Sequence, residues 1–176
     1  RQAREVGVPL IDLGEDVELD LTVDGADEVA PNLDLVKGWG GGLVQERIVA
    51  SASKRQVILV GREKLVRGLG ERGRIPVEVI PLALGPVTRQ VKALGLVAAV
   101  RADADGFRSL LTENGNLTLD CALTEPLGGG HLARELEAAL LAMPGVVDTG
   151  LFLGTAERVL VGHPDGRVET LGPRDP

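Results

Sequence analysis

The chain has 176 residues, of which 44% are hydrophobic and 26% charged, and its formal net charge is −7. This length suits one domain or two small ones with a buried core, and the acidic balance, with no run of Lys or Arg, argues against a broad nucleic-acid interface. No apolar run approaches the length of a membrane span, and the single cysteine, Cys121, excludes an internal disulfide and suits the reducing cytoplasm.

The first part of the chain predicts a strand, a glycine loop, a helix and a second strand. Residues 18–23 alternate apolar and polar side chains, which predicts a strand that ends at Asp24-Gly25. A glycine cluster at 38–42 precedes a helical pattern from Leu43 to about Ala52. The segment 56–61 contains an unbroken apolar run at 57–60, which is typical of a parallel strand buried on both faces. Together these elements predict an α/β layer.

A Gly- and Arg-rich connector at 68–74 leads into a segment with a different pattern. Asn114-Gly115 between two apolar runs predicts a hairpin, and the order of elements from Ile75 to Phe152 is β-α-β-β-α-β, typical of a ferredoxin-like unit. The predicted strands are 75–80, 96–101, 107–112 and 117–122, the predicted helices are 86–94 and 131–143, and a last hairpin pairs 158–161 with 167–171.

The first candidate site is an acidic cluster at the carboxyl end of the first predicted strand. Asp24, Asp27 and Glu28 fall within five residues, at the edge where open α/β sheets bind ligands. Asp24 and Asp27 are suited to accept protons from sugar hydroxyls or to hold a metal. A solvated turn explains the Asp-Gly pair equally well.

The second candidate site is Lys37 with the glycine loop and the helix that follows. Glycines allow close approach of the backbone to a ligand, and the free N–H groups of a helix start attract anions. The loop matches neither the Walker motif nor the G-x-G-x-x-G fingerprint. Glu46, in the first turns of the helix, is either a partner of the helix dipole or a general base beside the loop. Lys64 follows the second strand and reaches the same edge of the sheet, unless it is solvated surface.

Other reactive side chains are assigned structural roles. His131 lies beside a helix start, His163 lies in a turn, and Cys121 lies in a half-buried strand. No metal-ligand spacing stands out in the sequence.

These segments together resemble the A-type ribose-5-phosphate isomerase family. The resemblance extends from about Val6 to Leu171, and its segments follow the family's order and spacing. They are Val23-Asp24-Gly25-Ala26-Asp27-Glu28, Lys37-Gly38-Trp39-Gly40-Gly41, the helical segment 45–50, the strand segment 76–81, Thr112-Glu113-Asn114-Gly115-Asn116 and the segment 144–152.

The resemblance implies an enzyme that interconverts ribose 5-phosphate and ribulose 5-phosphate through an enediolate, without a metal or another cofactor. It places the base on Glu46, with Asp24 and Lys37 as further catalytic residues. It also implies a homodimer or homotetramer. The implied substrate contacts are Asp24, Gly25, Ala26, Asp27, Lys37, Gly38, Trp39, Gly40 and Lys64.

Two features depart from the family pattern. Trp39 stands where the family often has glycine. The chain also begins at Arg1 and contains no Gly-Thr-Gly-Ser-Thr loop, which in the family grips the phosphate. We therefore expect an N-terminally truncated chain with little or no activity alone.

The predicted fold is α/β: an incomplete Rossmann-like parallel layer, 1–73 and 148–176, with a ferredoxin-like α+β domain at 74–147. The alternatives to an isomerase of ribose 5-phosphate are a non-catalytic sugar-phosphate sensor, an enzyme acting on another sugar phosphate, and an inactive fragment of the isomerase.

Overall fold

The computed structural model describes residues 2–103, 105–106 and 108–172. No helix in these ranges is long and apolar enough to cross a membrane. The helices are α1 (Gln2–Glu5), α2 (Leu43–Ala52), α3 (Leu84–Ala93) and α4 (Gly130–Leu141), with 3₁₀ turns at Arg62–Lys64 and Pro81–Ala83. The strands are β1 (Thr22–Asp24), β2 (Glu28–Val29), β3 (Leu35–Val36), β4 (Gln56–Gly61), β5 (Ile75–Val79), β6 (Val97–Val100), β7 (Leu117–Ala122), β8 (Val146–Thr149), β9 (Leu151–Phe152), β10 (Arg158–Gly162) and β11 (Val168–Leu171).

The predicted parallel layer is confirmed as a sheet of order β1-β4-β10-β11. The strands β1, β4 and β10 are parallel, and β11 pairs antiparallel with β10. Ile58, Val159 and Val161 are fully buried on one face, where they pack with Phe152. Leu59 points to the other face and is 48% exposed. The prediction that β4 is buried on both faces was therefore wrong, because its apolar run alternates between core and surface like an ordinary strand.

The strand predicted at 18–23 is much shorter in the structure. Leu19 makes only an isolated parallel bridge to Ser53, and regular pairing with β4 begins at Thr22. The reason is that β4 itself begins at Gln56, so residues before Thr22 run beyond the end of their partner strand.

The ferredoxin-like unit is confirmed by the second four-stranded sheet. Its order is β6-β7-β5-β8 with every pair antiparallel, and α3 and α4 pack on it. Val87 and Val91 lie one turn apart on α3 and are fully buried against Val77 and Leu119. The division of the chain at 73/74 and 147/148 stays a prediction, and β8 crosses the second of these positions.

The strand predicted at 107–112 is not formed by the residues that the structure describes. Phe107 lies outside the described residues, and the bridges there are isolated ones, Ala102 to Ser109 and Leu111 to Leu117. Leu110 and Leu111 are 45% and 65% exposed, so neither side of this apolar run packs against a core. The strand that pairs with β7 in its place is β6.

A small antiparallel sheet, β2-β3-β9, contributes to two cores, one shared with Ile58 of β4 and one shared with Ile75 of β5. Leu35 pairs with Phe152 and Val36 with Leu151, and all four are fully buried. The chain leaves β3 at Lys37, whose N–H donates to the carbonyl of Gly150 (2.9 Å). A Cβ at position 150 would lie 2.4 Å from the Lys37 carbonyl oxygen, so glycine is required where this crossing fixes Lys37.

Candidate active site

The Lys37 side chain is the centre of the candidate site. It is only 3% exposed, and its Nζ lies 2.9 Å from Asp24 Oδ2 and 3.1 Å from Glu46 Oε2. The ammonium also donates to the carbonyl of Gly25. A buried ammonium is tolerated only when its charge is compensated. Asp24 at the end of β1 and Glu46 on α2 provide this compensation, so Lys37 links these two elements.

The Asp24–Asp27 turn forms one wall of the site. The turn begins at the carboxyl end of β1, where the N–H of Gly25 donates to Asp24 Oδ1 (2.7 Å). The N–H of Asp27 donates to the carbonyl of Val36 (2.8 Å). Asp27 Oδ2 in turn accepts the N–H of Trp39 (2.9 Å). Backbone N–H groups therefore hold both carboxylates in place, Asp24 beside the Lys37 ammonium and Asp27 beside the start of the glycine loop.

The glycine loop leads directly into α2. Gly38 has a φ of 95°, and a Cβ there would lie 2.6 Å from Leu43 Cβ, so this position requires glycine. Gly42 precedes the helix without a capping side chain, and Glu46 lies in its first turn. Glu46 Oε2 is buried and accepts no hydrogen bond from the described residues, although the Lys37 ammonium lies beside it.

These walls enclose a cavity of about 190 Å³. A second cavity of about 380 Å³ adjoins it and shares Gly40 and Glu46, and its far wall is formed by Thr112 and Glu113. The lining of the smaller cavity consists of Asp24, Gly25, Ala26, Asp27, Lys37, Gly38, Gly40 and Glu46. The structure thus brings together seven of the predicted substrate contacts and the predicted base.

Trp39 and Lys64 do not line this cavity, although Trp39 lies between two residues that do, Gly38 and Gly40. The Trp39 ring lies 6.0 Å from Lys64 Nζ and is also approached by Arg72 and Arg74, at 5.6 and 5.0 Å. Its indole N–H donates to the carbonyl of Arg74 (3.1 Å). Three cationic side chains and one hydrogen bond therefore hold the Trp39 ring beside the loop.

Glu28, the third acid of the predicted cluster, turns away from the cavity. It is fully buried and accepts the N–H groups of Gly70 (2.6 Å) and Arg72 (2.7 Å). Burial raises the pKa of Glu28 above its ordinary value, and the two backbone hydrogen bonds partly oppose this effect. Its role is to hold the connector against β2.

The residues assigned structural roles lie away from the site. Cys121 is fully buried in the core between α3 and the β6-β7-β5-β8 sheet, and His163 pairs with Glu169 (3.0 Å). Among the described residues, no three His, Cys, Asp or Glu side chains are grouped so that they could hold a metal ion. A further cavity, of about 220 Å³, lies at the start of α4, where Asp34 is already bonded by Asn32 and by the N–H of Gly154.

Two arginines that support the site were missed by the sequence analysis. Arg47, next to Glu46, reaches Asp148 Oδ2 (2.8 Å) and the carbonyls of Thr149 and Leu151 (2.9 and 2.8 Å). Arg101 donates to the carbonyls of Gly38 and Trp39. No local pattern marks these residues, because their partners lie about 60 to 100 positions away in sequence.

The arrangement is suited to proton transfer next to a carbonyl group. Glu46 offers a carboxylate at the cavity wall, Asp24 offers a second acid–base group, and the Lys37 charge lies between them. The loop N–H groups and the start of α2 add positive potential where negative charge would develop. Fold and site together define an α/β enzyme equipped for acid–base chemistry on a small molecule.

Comparison with known proteins gives the family. The profile of ribose 5-phosphate isomerase A (phosphoriboisomerase A) matches residues 1–166, and the chain belongs to this family. It is 43% identical over 174 residues to ribose-5-phosphate isomerase A of Roseiflexus sp. (strain RS-1), covering 97% of this chain and 71% of that protein.

Solved structures agree with this assignment. A ribose 5-phosphate isomerase from Plasmodium falciparum superposes with a TM-score of 0.90 at 32% identity, covering 99% of this chain and 74% of that one. A D-ribose-5-phosphate isomerase in complex with phospho-erythronic acid superposes with a TM-score of 0.89 at 32% identity, covering 97% and 72%.

Proposed function

We propose that this protein interconverts D-ribose 5-phosphate and D-ribulose 5-phosphate, with Glu46 as the base that moves the proton. The observation that carries the proposal is the placement of Lys37 Nζ between Asp24 (2.9 Å) and Glu46 (3.1 Å) at the wall of a cavity of about 190 Å³. Family membership supplies the substrate.

In this mechanism, Glu46 removes the C2 proton of the open-chain aldose, and the electron pair forms the C1–C2 double bond of an enediolate. The same carboxyl group returns the proton to C1, which gives the ketose. Asp24 assists ring opening and takes up the hydroxyl proton that must move between O2 and O1. The carboxylate of Asp27 orients hydroxyl groups, since Trp39 fixes it by a hydrogen bond (2.9 Å).

The negative charge of the enediolate is stabilised by Lys37 and by the N–H groups of the glycine loop. Such preorganised charges contribute most in a site shielded from water, and Lys37 is only 3% exposed. Gly25, Ala26, Gly38 and Gly40 supply the backbone walls. Trp39, between the lining residues Gly38 and Gly40, and Lys64, whose Nζ lies 6.0 Å from the centre of the Trp39 ring, bind the outer part of the substrate.

The phospho-erythronic acid bound by a family member fits this mechanism. Its carboxylate has two coplanar oxygens that share a negative charge, as the enediolate does. We expect it to bind this chain more tightly than the substrate, because a stable mimic of the intermediate uses the contacts that stabilise the transition state.

The test is conversion of ribose 5-phosphate by the purified protein and by three variants. Glu46→Gln should lower kcat by about 10²- to 10⁴-fold while substrate still binds, and Lys37→Met should lower it by about 10²-fold or more. Glu135→Gln, on the exposed surface of α4, removes the same charge far from the cavity lining and should leave kcat unchanged. Equal activity of Glu46→Gln and wild type would contradict the proposal.

A homodimer or homotetramer and a cytoplasmic site of action are further parts of the proposal, and both rest on the family resemblance. Analytical ultracentrifugation at several protein concentrations tests the oligomer. A mass equal to one chain at every concentration would contradict it.

A further inference from the structure

The glycine loop is held from outside the site by Arg101. This residue follows β6, and its Nη1 donates to the carbonyls of Gly38 (2.9 Å) and Trp39 (3.0 Å). One guanidinium nitrogen thus bridges two successive peptide groups of the loop that forms the cavity wall.

Asp120 on β7 fixes the guanidinium in place. Its two oxygens accept Arg101 Nη2 (2.5 Å) and Nε (3.0 Å), and Arg74 adds a third contact (3.2 Å). The side chains of Arg101 and Asp120 are only 10% and 12% exposed. A paired, shielded guanidinium of this kind is rigid, and its planar geometry sets the direction of its remaining donors.

The direction of the carbonyls determines the direction of the N–H groups. In a trans peptide, the C=O and the following N–H point to opposite sides. Because Gly38 C=O faces Arg101, Trp39 N–H faces the opposite way and donates to Asp27 (2.9 Å). Because Trp39 C=O also faces Arg101, Gly40 N–H is directed away from it.

The N–H of Gly40 is therefore available to a ligand. Gly40 lines both the catalytic cavity and the adjoining one, beside Glu46. Among the described residues, no backbone carbonyl accepts its N–H. A donor that is fixed in direction and has no acceptor among the described residues is what an oxyanion-binding site requires.

We propose that Arg101, fixed by Asp120, is a positioning residue for catalysis: it directs the Gly40 N–H toward the enediolate oxygen and sets the Asp27 carboxylate through Trp39. This inference rests on the proposed isomerase function. It gives the second, antiparallel sheet a part in the chemistry at the first sheet, since Asp120 lies on β7 and Arg101 directly follows β6.

The inference predicts a specific kinetic pattern for Arg101→Met. A misdirected N–H affects the charged enediolate more than the uncharged carbonyl of the substrate. Complete deletion of an oxyanion donor lowers kcat by about 10²- to 10³-fold. We therefore expect kcat to fall by about 10- to 100-fold in Arg101→Met, while KM changes by less than about threefold. Arg101→Lys, which keeps a cation able to reach the carbonyls, should recover part of the loss.

The experiment combines kinetics with binding of phospho-erythronic acid, measured by calorimetry on the wild type, Arg101→Met, Arg101→Lys and Asp120→Asn. Arg101→Met should weaken the binding of phospho-erythronic acid at least about tenfold. The affinity for ribose 5-phosphate, measured in the inactive Glu46→Gln protein with and without Arg101→Met, should change by less than about threefold. Arg55→Met is the control, because it removes an arginine paired with Glu157 (2.8 Å) outside the cavity lining.

Each outcome decides between the alternatives. Equal loss of affinity for both ligands, or unchanged kcat in Arg101→Met, would overturn the inference. If Arg101→Met does not fold, the same selective loss in Asp120→Asn and Arg101→Lys supports the inference, and its absence there overturns it. A wild type that binds the analogue without turnover would contradict the proposed function alone, because the binding comparison still tests Arg101.

Discussion

Replacement of Arg47 by methionine removes the cation that joins α2 to the second sheet. The guanidinium contacts Asp148 Oδ2 (2.8 Å), Glu137 Oε1 (3.4 Å) and two backbone carbonyls, and it lies 4.1 Å from the centre of the Phe152 ring. Methionine keeps much of the aliphatic volume but none of these contacts. The carboxylates of Asp148 and Glu137, whose side chains are 12% and 21% exposed, then lose their cation.

The expected cost is about 3 to 5 kcal/mol, the usual effect of removing one partner from a shielded ion pair. For a chain of this size, that loss lowers Tm by roughly 6 to 20 °C. The exposed pair Arg55–Glu157 provides the matched control, since Arg55→Met should cost less than about 1 kcal/mol.

The loss should also depend on pH. Burial raises the pKa of Glu137, and the Arg47 charge partly offsets this, so Arg47→Met raises the folded-state pKa further. A carboxyl whose folded pKa exceeds its unfolded pKa loses stability as the pH rises from the unfolded value through the folded value. The deficit of the variant should therefore be larger at about pH 7.5 than at about pH 5.

Urea unfolding of the wild type, Arg47→Met and Arg55→Met at both pH values measures this effect. The double variant Arg47→Met/Glu137→Gln should recover part of the loss at the higher pH, because it removes one of the unpaired charges. A deficit below about 1 kcal/mol, or one that is equal at the two pH values, would refute the reasoning.

Three further predictions concern Gly38, Glu78 and Cys121. Gly38 has a φ of 95°, and a Cβ there would lie 2.6 Å from Leu43, so Gly38→Ala should lower the free energy of unfolding in urea by about 1 to 3 kcal/mol. A Cβ at Gly40 would meet open space, so Gly40→Ala should lower it by less than about 1 kcal/mol. Glu78 is fully buried; three side chains donate to one of its oxygens, and the other has no partner among the described residues. Glu78→Gln should therefore be tolerated, but Glu78→Leu should cost at least about 2 kcal/mol. Burial raises the pKa of Cys121 to about 12, so iodoacetamide should label it only in unfolded protein; rapid labelling of the native state would contradict this.

Local patterns predicted the elements that depend on neighbouring residues. The helix Leu43–Ala52 and the strands Gln56–Gly61 and Leu117–Ala122 have the predicted bounds, because their periodicity and their flanking glycines or hairpin turns are local signals. α3 and α4 differ from the predicted bounds by one or two residues at each end, where caps and 3₁₀ turns decide the boundary.

The remaining errors arose where distant parts of the chain decide the structure. The burial of Leu59 depends on whether another layer covers that face of the sheet, which the strand's own residues do not encode. The acidic cluster was predicted as a unit, yet Glu28 turns to the connector and bonds the N–H groups of Gly70 and Arg72. Likewise, nothing near Arg101 in the sequence indicates that its partners are Gly38 and Trp39.

The central claim, that Glu46 moves the proton between C1 and C2, is tested most directly in ²H₂O. The wild-type protein should incorporate solvent deuterium into ribose and ribulose 5-phosphate as the carboxyl group exchanges with solvent between removal and return of the proton, which NMR detects at C1 and C2. Glu46→Gln should lose exchange and turnover together, by about 10²-fold or more. Exchange at the wild-type rate in Glu46→Gln would contradict the account, because another group would then be the base.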